Sequence, residues 1–222
     1  MPKTPKGCRM TYSSIPAEIS SEGLLNSRDE IKDIMIDDRR GVVRVETKGG
    51  KGSDIEISPK RLITSGGGRG TSPYSIGDVK NQAKIESQIQ ISSSEVFTLV
   101  KEFQSRSQIY KATGGVHGAA LCDAKSILVF SEDIGRHNAI DKVFGECIWE
   151  DIPSVDRIII TSGRISSEIL LKVAKRNIPV LISKSAPTNL GVRLANNLGV
   201  TLIGFVRGER MNIYSNGWRI TA

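Results

Sequence analysis

The stretch RIIITSGRISSEILLKVAKRNIPVLISKS, residues 157–185, alternates the pattern of a buried strand with that of an amphipathic helix. Its first five residues predict a strand at 157–161, and its apolar spacing predicts a helix at 165–177. A second apolar run predicts a strand at 180–183. Such a strand–helix–strand unit is typical of a largely parallel sheet whose faces are covered by helices.

The same alternation continues on both sides of this unit. Downstream, the pattern predicts a helix at 188–198 and a strand at 200–206. Upstream, SILVF predicts a strand at 126–130, and a helix follows at 135–147. The sequence therefore predicts an α/β fold class.

The N-terminal region has a different character. Residues 1–91 are rich in Ser, Gly, Lys and Asp, with short strand-like runs at 42–46 and 55–57. From Ser92, hydroxyls that can cap a helix precede an apolar face with helical spacing, formed by Val96, Leu99, Val100 and Phe103. The sequence thus predicts two parts, residues 1–91 and an α/β domain at residues 92–222.

The charge balance narrows the class of partner. The 222 residues include 31 Lys and Arg against 24 Asp and Glu, a net charge of +7, which favours a polyanionic partner. Basic residues are scattered and only 5% of residues are aromatic, which argues against nucleic acid. A phosphorylated ligand and a merely solvated basic surface both remain open.

Apolar runs and cysteines bear on the compartment. No apolar run approaches the roughly 18 residues of a membrane span, and the start of the chain lacks the apolar region of a secretory signal. The three cysteines are widely spaced, so a disulfide framework is not expected. We predict a cytoplasmic protein that does not enter the membrane.

Four polar segments follow predicted strands: SED (131–133), TSGR (161–164), SKSAPT (183–188) and VRGER (206–210). In a parallel sheet these segments gather at one edge, where open α/β sheets bind ligands. Helix N-termini and arginine forks there favour phosphate, although the same side chains could simply cap helices and face water. The candidate phosphate-binding residues are Arg136, Ser162, Gly163, Arg164, Lys184, Ser185, Arg207 and Arg210.

Both histidines of the chain lie in glycine-flanked motifs, His117 in TGGVHGAAL and His137 in SEDIGRHNAIDK. On a helix, His137 and Asp141 share one face, so the carboxylate could fix the tautomer of the imidazole. These three residues and Asp133 are candidate auxiliary catalytic groups, with a structural role as the alternative. No zinc-ligand spacing and no G-x-S-x-G motif occurs, so neither a metal site nor a serine nucleophile is predicted.

Several long motifs together carry a family resemblance. In chain order they are TGGVHGAALCD, FSEDIGRHNAIDKVFG, ITSGRISSEI and SKSAPTNLGVRLANNLGVTLIGFVRGERMNIY, with SSEGLLNSRDEI (20–31) as a looser match upstream. They resemble the FdhD/NarQ family of formate dehydrogenase accessory proteins, closely over residues 92–222. The resemblance implies a cytidine-deaminase-like three-layer α/β/α domain with a smaller β-rich N-terminal part.

The resemblance also implies a function. Members carry sulfur from a cysteine desulfurase to the molybdenum cofactor before that cofactor enters formate dehydrogenase. The implied client is the bis(molybdopterin guanine dinucleotide) form, which the protein carries as cargo and does not use as a prosthetic group. A homodimer is one assembly open to the chain. The implied contact segment is FVRGER, that is Phe205, Val206, Arg207, Gly208, Glu209 and Arg210.

The glycine-rich stretch ITSGGGRGTSPYS, residues 63–75, departs from the family pattern. The family has T-S-S-C-G-x-C-G here, and its first cysteine carries the persulfide. Gly67 and Gly70 stand at the two cysteine positions, and glycine has no side chain that could act as a nucleophile. The chain therefore retains no catalytic cysteine at the family positions.

The remaining cysteines are poor substitutes. Cys8 lies in a tail without structural pattern, whereas Cys122 and Cys147 lie in apolar contexts that predict buried packing. Only about 20 residues precede SSEGLLNSRDEI, so the N-terminal part is a remnant or the start codon lies further upstream.

Two function classes follow. One is a sulfur-carrying accessory protein with altered sulfur chemistry, and the other is a non-catalytic module or chaperone that binds the molybdenum cofactor. Whether the chain is an enzyme stays open between them. A zinc deaminase, suggested by the implied fold alone, is less favoured because the P-C-x-x-C ligand pair is missing.

Overall fold

The computed structural model describes residues 28–37, 39–40, 42–48 and 83–222. The glycine-rich stretch at 63–75, the predicted strand at 55–57 and Cys8 lie outside the described residues. Within the described ranges the elements are, in chain order, β1 (Ile31–Asp37), β2 (Val42–Thr47), β3 (Ile91–Ser92), α1 (Ser93–Arg106), α2 (Gln108–Thr113), β4 (His117–Cys122), β5 (Ile127–Asp133), α3 (Arg136–Trp149), β6 (Ile158–Thr161), α4 (Ser167–Lys175), β7 (Val180–Ser183), α5 (Asn189–Leu198), β8 (Thr201–Arg207), β9 (Arg210–Ser215) and β10 (Ile220–Thr221).

The central sheet has six strands in the order β5-β4-β6-β7-β8-β9. Strands β6, β7 and β8 are parallel, as the alternating pattern predicts. However, β4 runs antiparallel to both β5 and β6, and β9 runs antiparallel to β8. The prediction of a largely parallel sheet is therefore wrong for strands β4 and β9, and the fold is a mixed α/β fold.

This topology still gathers the predicted segments at one edge. Because β5 is antiparallel to β4, and β4 to β6, strand β5 points in the same direction as the parallel trio. The carboxyl ends of β5 to β8 and the beginning of β4 therefore share one edge, which we name the carboxyl edge. His117 lies there opposite Asp133.

Two of the four segments are strand ends rather than loops. Residues 131–133 are the last residues of β5, because pairing with β4 continues to Asp133. Val206 and Arg207 end β8, and a tight turn leads to Arg210 in β9. Backbone pairing with neighbouring strands extends both elements beyond the apolar runs that predict them.

Two apolar clusters lie on the two faces of the sheet. Alternate strand residues such as Leu121, Ile159 and Leu181 pack with helices α3, α4 and α5. Their neighbours, such as Ile158 and Ile160, pack with helix α1. The predicted face of α1 is confirmed, because its buried residues are Val96, Leu99, Val100 and Phe103.

The described N-terminal segment is an antiparallel hairpin of β1 and β2, in which Ile34 pairs with Val45. It is tied to the rest of the chain at Arg28, whose Nη1 donates to the carbonyl oxygen of Trp149 at 3.0 Å. The Arg28 guanidinium also lies 4.6 Å from the centre of the Trp149 ring. The predicted strand at 42–46 is confirmed, and β1 was not predicted.

A buried arginine anchors the far end of the chain. Arg219 is 1% exposed, and its guanidinium donates to the carbonyl oxygens of Ser87 and Gly199 and to Thr201 Oγ1 at 2.8–3.1 Å. Strand β10, which follows it, pairs in parallel with β3 at the start of helix α1. These contacts join the segment before α1 to strands β8 and β10.

Replacement of Gly199 by alanine is expected to lower the free energy of unfolding by about 2–4 kcal/mol. Gly199 ends helix α5 with φ +73°, and a Cβ there would lie 2.6 Å from the carbonyl oxygen of Ile85. The matched control is Gly114, which ends helix α2 with φ +65° and would have no atom within 4 Å of its Cβ. Gly114→Ala should cost only about 1–2 kcal/mol, measured by urea denaturation, and equal losses would contradict the clash.

Candidate functional site

A cavity of about 660 Å³ opens at the carboxyl edge, between helices α1 and α2 and the strand ends. We name it the edge cavity. Its volume falls within the range of about 300–1,000 Å³ common for small-molecule sites. Among the described residues that line it are three cations and no aspartate or glutamate, so it suits an anion. Its charged and hydroxyl-bearing lining residues are Lys111, Lys184, Arg207, Ser107, Tyr110, Ser162 and Ser185.

Two buried hydroxyls at strand ends build the turns that line this cavity. Thr161 Oγ1 accepts the N–H of Gly163 at 3.1 Å and donates to the carbonyl oxygen of Gly118 at 3.3 Å. Ser183 Oγ accepts the N–H of Ser185 at 2.9 Å and donates to the carbonyl oxygen of Gly163 at 2.7 Å. The sequence predicts the two segments, but it does not predict that Thr161 and Ser183 hold their turns together. A hydroxyl at a strand end is as common in an exposed turn as in a buried one.

Lys184 and Arg207 are brought together on one wall of the edge cavity. Burial, and then the positive charge of Arg207, lower the pKa of Lys184. No carboxylate among the described residues forms an ion pair with either side chain. Two neighbouring cations without such a partner repel each other, and a bound anion would relieve that repulsion.

The segment FVRGER is split between the cavity, the core and the surface. Strand β8 is irregular between Gly204 and Arg207, and Phe205 has φ +53°, a left-handed conformation rare for a bulky residue. As a result Arg207 reaches the cavity and the Phe205 ring is 37% exposed, whereas Val206 is fully buried in an apolar cluster. Gly208, Glu209 and Arg210 form the exposed turn beyond the cavity lining.

His117 begins strand β4 and lines the edge cavity. Its Nδ1 lies 3.3 Å from Ser162 Oγ, which also accepts the N–H of Gly118 at 3.0 Å. Burial lowers the pKa of His117, and the charges of Arg136 and Arg164 lower it further. The predicted residues His117, Ser162, Lys184, Ser185 and Arg207 are thus brought together.

Arg136 and Arg164 add positive charge on the side of helix α3. Arg136 packs against Gly163, where a Cβ would lie 2.8 Å from the Cβ of Arg136, so glycine permits this close approach. The Nε of Arg136 is buried without a hydrogen-bond partner among the residues that the structure describes. Neither arginine lines the edge cavity, although both act on the pKa of His117.

The two carboxylates among the other acid–base candidates, Asp133 and Asp141, are engaged in ion pairs. Asp133 lies 2.6 Å from Lys142 Nζ and accepts the N–H of Gly135 at 2.9 Å. Asp141 lies 2.5 Å from Lys172 Nζ. His137, whose pKa is lowered first by burial and then by Lys172, lies 3.6 Å from Glu168. The carboxylate of Glu168 in helix α4 thus approaches the His137 ring, and the charge of Asp141 also acts on the pKa of His137, so the role given to Asp141 stays a prediction.

Helix α2 supplies cavity residues that sequence reasoning missed. The carboxylate of Glu132 accepts the N–H groups of Ile109 and Tyr110 at 2.9 Å each and so caps the helix from strand β5. This cap holds Tyr110 and Lys111 at the cavity. A six-residue helix fixed by a distant carboxylate leaves no periodic signal in the sequence.

The two described cysteines are buried, as predicted. Cys122 in β4 is fully buried and Cys147 in α3 is 5% exposed. Burial raises the pKa of each thiol to about 12. Neither is therefore poised as a thiolate near neutral pH.

Among the described residues, no group of three or more histidine, cysteine, aspartate and glutamate side chains is arranged to hold a metal ion. The described helices include none with the length and apolar character needed to cross a membrane.

Comparison with known proteins gives consistent matches. Residues 19–221 match the model of the FdhD/NarQ family. A sulfur carrier protein FdhD of Bacillus pumilus (strain SAFR-032) is 43% identical over 203 residues, which are 91% of this chain and 78% of that protein. A protein of the same description from Staphylococcus aureus (strain MRSA252) is 44% identical over 202 residues, 91% of this chain and 76% of that protein.

A solved structure is also similar. It is that of a candidate formate dehydrogenase accessory protein from Desulfotalea psychrophila, with a TM-score of 0.74 at 24% identity. The match covers 95% of this chain and 79% of that chain. At this level of identity the likeness bears on the fold alone.

Proposed function

The chain belongs to the FdhD/NarQ family, and from this premise we propose that it is an accessory protein for formate dehydrogenase that binds the molybdenum cofactor in its guanine dinucleotide form. The cofactor is the client of the protein. Relatives described as sulfur carrier proteins support the general role.

The observation that carries this proposal is the charge of the edge cavity. Lys111, Lys184 and Arg207 line it, and none of its described lining residues is acidic. Pyrophosphate is the part of the cofactor that needs such cations, and serine hydroxyls can donate further hydrogen bonds to its oxygens. We propose that the edge cavity takes a nucleotide arm of the cofactor, with the exposed Phe205 and Arg210 of FVRGER extending the contact outside it.

The cysteines distinguish the two function classes, a sulfur carrier and a non-catalytic binding module. Gly67 and Gly70 replace the family cysteines, and the pKa values of Cys122 and Cys147 are raised to about 12 by burial. On this basis we favour a binding module or chaperone for the cofactor over a sulfur carrier. Partnership with a cysteine desulfurase belongs to the sulfur-carrier alternative.

Other parts of the proposal follow from the family rather than from geometry. They are the cytidine-deaminase-like character of the α/β domain and formate dehydrogenase as partner. The cytoplasmic location is proposed from the apolar runs and cysteines of the sequence, and a homodimer is one assembly open to the chain. The boundary between residues 1–91 and 92–222 remains a prediction from the change in composition and periodicity near Ser92.

Binding of GDP tests the proposal, because GDP carries the guanine nucleotide and a pyrophosphate without the rest of the cofactor. Isothermal titration calorimetry at low ionic strength is expected to show GDP binding and much weaker binding of an uncharged pterin. Added salt should weaken GDP binding, since phosphate contacts are partly screened. Absence of GDP binding at low ionic strength would contradict the proposed function.

A further inference from the structure

The hydroxyl of Ser162 stands between a fixed donor and the ring of His117. The N–H of Gly118 donates to Ser162 Oγ at 3.0 Å, and the backbone of Ser162 donates in return to the carbonyl oxygen of Gly118 at 3.0 Å. This reciprocal pair fixes the hydroxyl 3.3 Å from Nδ1 of His117. A hydroxyl has one proton and two lone pairs, and Gly118 already occupies one lone pair.

The contact between Ser162 Oγ and Nδ1 of His117 decides which of the two atoms carries the proton. If Nδ1 of His117 donated to Ser162, the serine hydroxyl would accept twice, and its own proton would have no acceptor among the residues that the structure describes. If Ser162 donates to Nδ1, both groups are satisfied. Ser162 is half-buried, and only the second arrangement gives its proton an acceptor among the described residues, so that arrangement is favoured.

Burial and the surrounding positive charges favour the neutral form of the His117 ring. Burial and the nearby guanidinium groups of Arg136 and Arg164 lower the pKa of His117. A neutral imidazole whose Nδ1 accepts a hydrogen bond carries its single proton on Nε2. Nε2 donates to no described residue, and His117 lines the edge cavity beside Ser162, Lys184 and Arg207.

We propose that His117 is a neutral hydrogen-bond donor that offers its Nε2–H to a phosphate oxygen of the bound nucleotide, and that Ser162 is the positioning residue that fixes this tautomer. The ligand class rests on the proposed function. A neutral donor orients the phosphate without adding another positive charge to those of Lys184 and Arg207. The histidine would thus set the orientation of the phosphate, while the cations supply most of the attraction.

Nuclear magnetic resonance of the full chain without ligand tests the tautomer directly. Since the chain has only two histidines, a two-bond ¹H–¹⁵N correlation spectrum shows two imidazole rings, and the His117→Gln spectrum identifies them. Near neutral pH, His117 should show a bare Nδ1 and a protonated Nε2. In Ser162→Ala the same ring should shift toward a mixture of tautomers, a change that a merely structural role of Ser162 would not produce. An Nδ1-protonated or doubly protonated His117 in the wild type would overturn the inference.

Matched substitutions test the donor with GDP as the probe. His117→Ala should weaken GDP binding by roughly tenfold, the lower end of the effect of one hydrogen bond to a charged acceptor. Gln places an amide nitrogen near the position of Nε2, and Asn places one near Nδ1, so His117→Gln should retain affinity and His117→Asn should not. Rescue by Asn instead of Gln would overturn the inference. Wild-type protein that fails to bind GDP would contradict the proposed function, whereas GDP binding with an Nδ1-protonated His117 would sink this inference alone.

Discussion

Incubation with a cysteine desulfurase and cysteine is expected to leave residues 63–75, Cys122 and Cys147 without a persulfide. Gly67 and Gly70 offer no sulfur atom. With the pKa of Cys122 and of Cys147 raised to about 12, the thiolate fraction of each near neutral pH is on the order of 10⁻⁵. Mass spectrometry of proteolytic peptides, before and after reduction, measures the outcome. In a cell that lacks its sulfur carrier, this protein should accordingly fail to restore formate dehydrogenase activity.

The double variant Gly67→Cys, Gly70→Cys is the positive control for this experiment. A reducible sulfur on the first introduced cysteine, together with restored dehydrogenase activity, would show that only the nucleophile has been lost. The expectation would be contradicted by wild-type protein that rescues such a cell. Single replacement of Cys8, Cys122 and Cys147 by serine would then identify the carrier.

Loss of the two cations on the cavity wall is expected to produce the largest change in ligand affinity. Lys184→Ala and Arg207→Ala should each weaken GDP binding about tenfold to a hundredfold, because each removes one charge-assisted contact of about 1.5–3 kcal/mol. The double variant should lose at least a hundredfold by the same estimate, if the two contacts act independently. Isothermal titration calorimetry gives the affinities, and circular dichroism checks that the fold is retained.

Two further substitutions sharpen the interpretation of that result. Lys125 lies in the turn between β4 and β5, at the opposite edge of the sheet. Lys125→Ala therefore removes the same charge as Lys184→Ala at a position far from the edge cavity, and we expect unchanged GDP affinity. Arg210→Ala removes an arginine of FVRGER that lies outside the cavity lining, and we expect a smaller loss than for Arg207→Ala. Unchanged affinity in both Lys184→Ala and Arg207→Ala would show that these side chains only form a solvated surface.

The sequence predicts the strands with apolar runs better than the strands that depend on pairing with their neighbours. Strands β6 and β7 are continuous apolar runs, IIIT and VLIS, so the local sequence alone predicts that they are buried. Strand β4 reads HGAALC, whose glycine and alanine residues give no strand signal; its conformation comes from pairing with β5 on one side and β6 on the other. Strand β9, RMNIYS, is an edge strand whose polar residues hide its pairing with β8.

The candidate site likewise contains some residues that the sequence predicts and others that it does not. Residues that directly follow predicted strands, such as Ser162, Lys184 and Arg207, could be placed at one edge because strand direction is a regular property of the fold. Tyr110 and Lys111 could not, since their helix is held by the side chain of Glu132 on another strand. The partner of His137 was missed for a related reason: Glu168 belongs to a different helix, and contacts between helices are not readable from spacing along one of them.

The joining of β3 to β10, secured by Arg219, has a consequence for biosynthesis. Helix α1, which forms one wall of the edge cavity, is synthesised well before Arg207 and before strand β10, which pairs with β3. Non-local pairing of this kind forms slowly, because a long loop must be ordered first. The cavity therefore exists only in the finished, folded chain, and a ligand that binds there stabilises that chain by mass action. If the edge cavity binds the nucleotide proposed above, abundance of the protein in the cell should follow the supply of that ligand, since the unliganded chain would be the form more exposed to proteolysis.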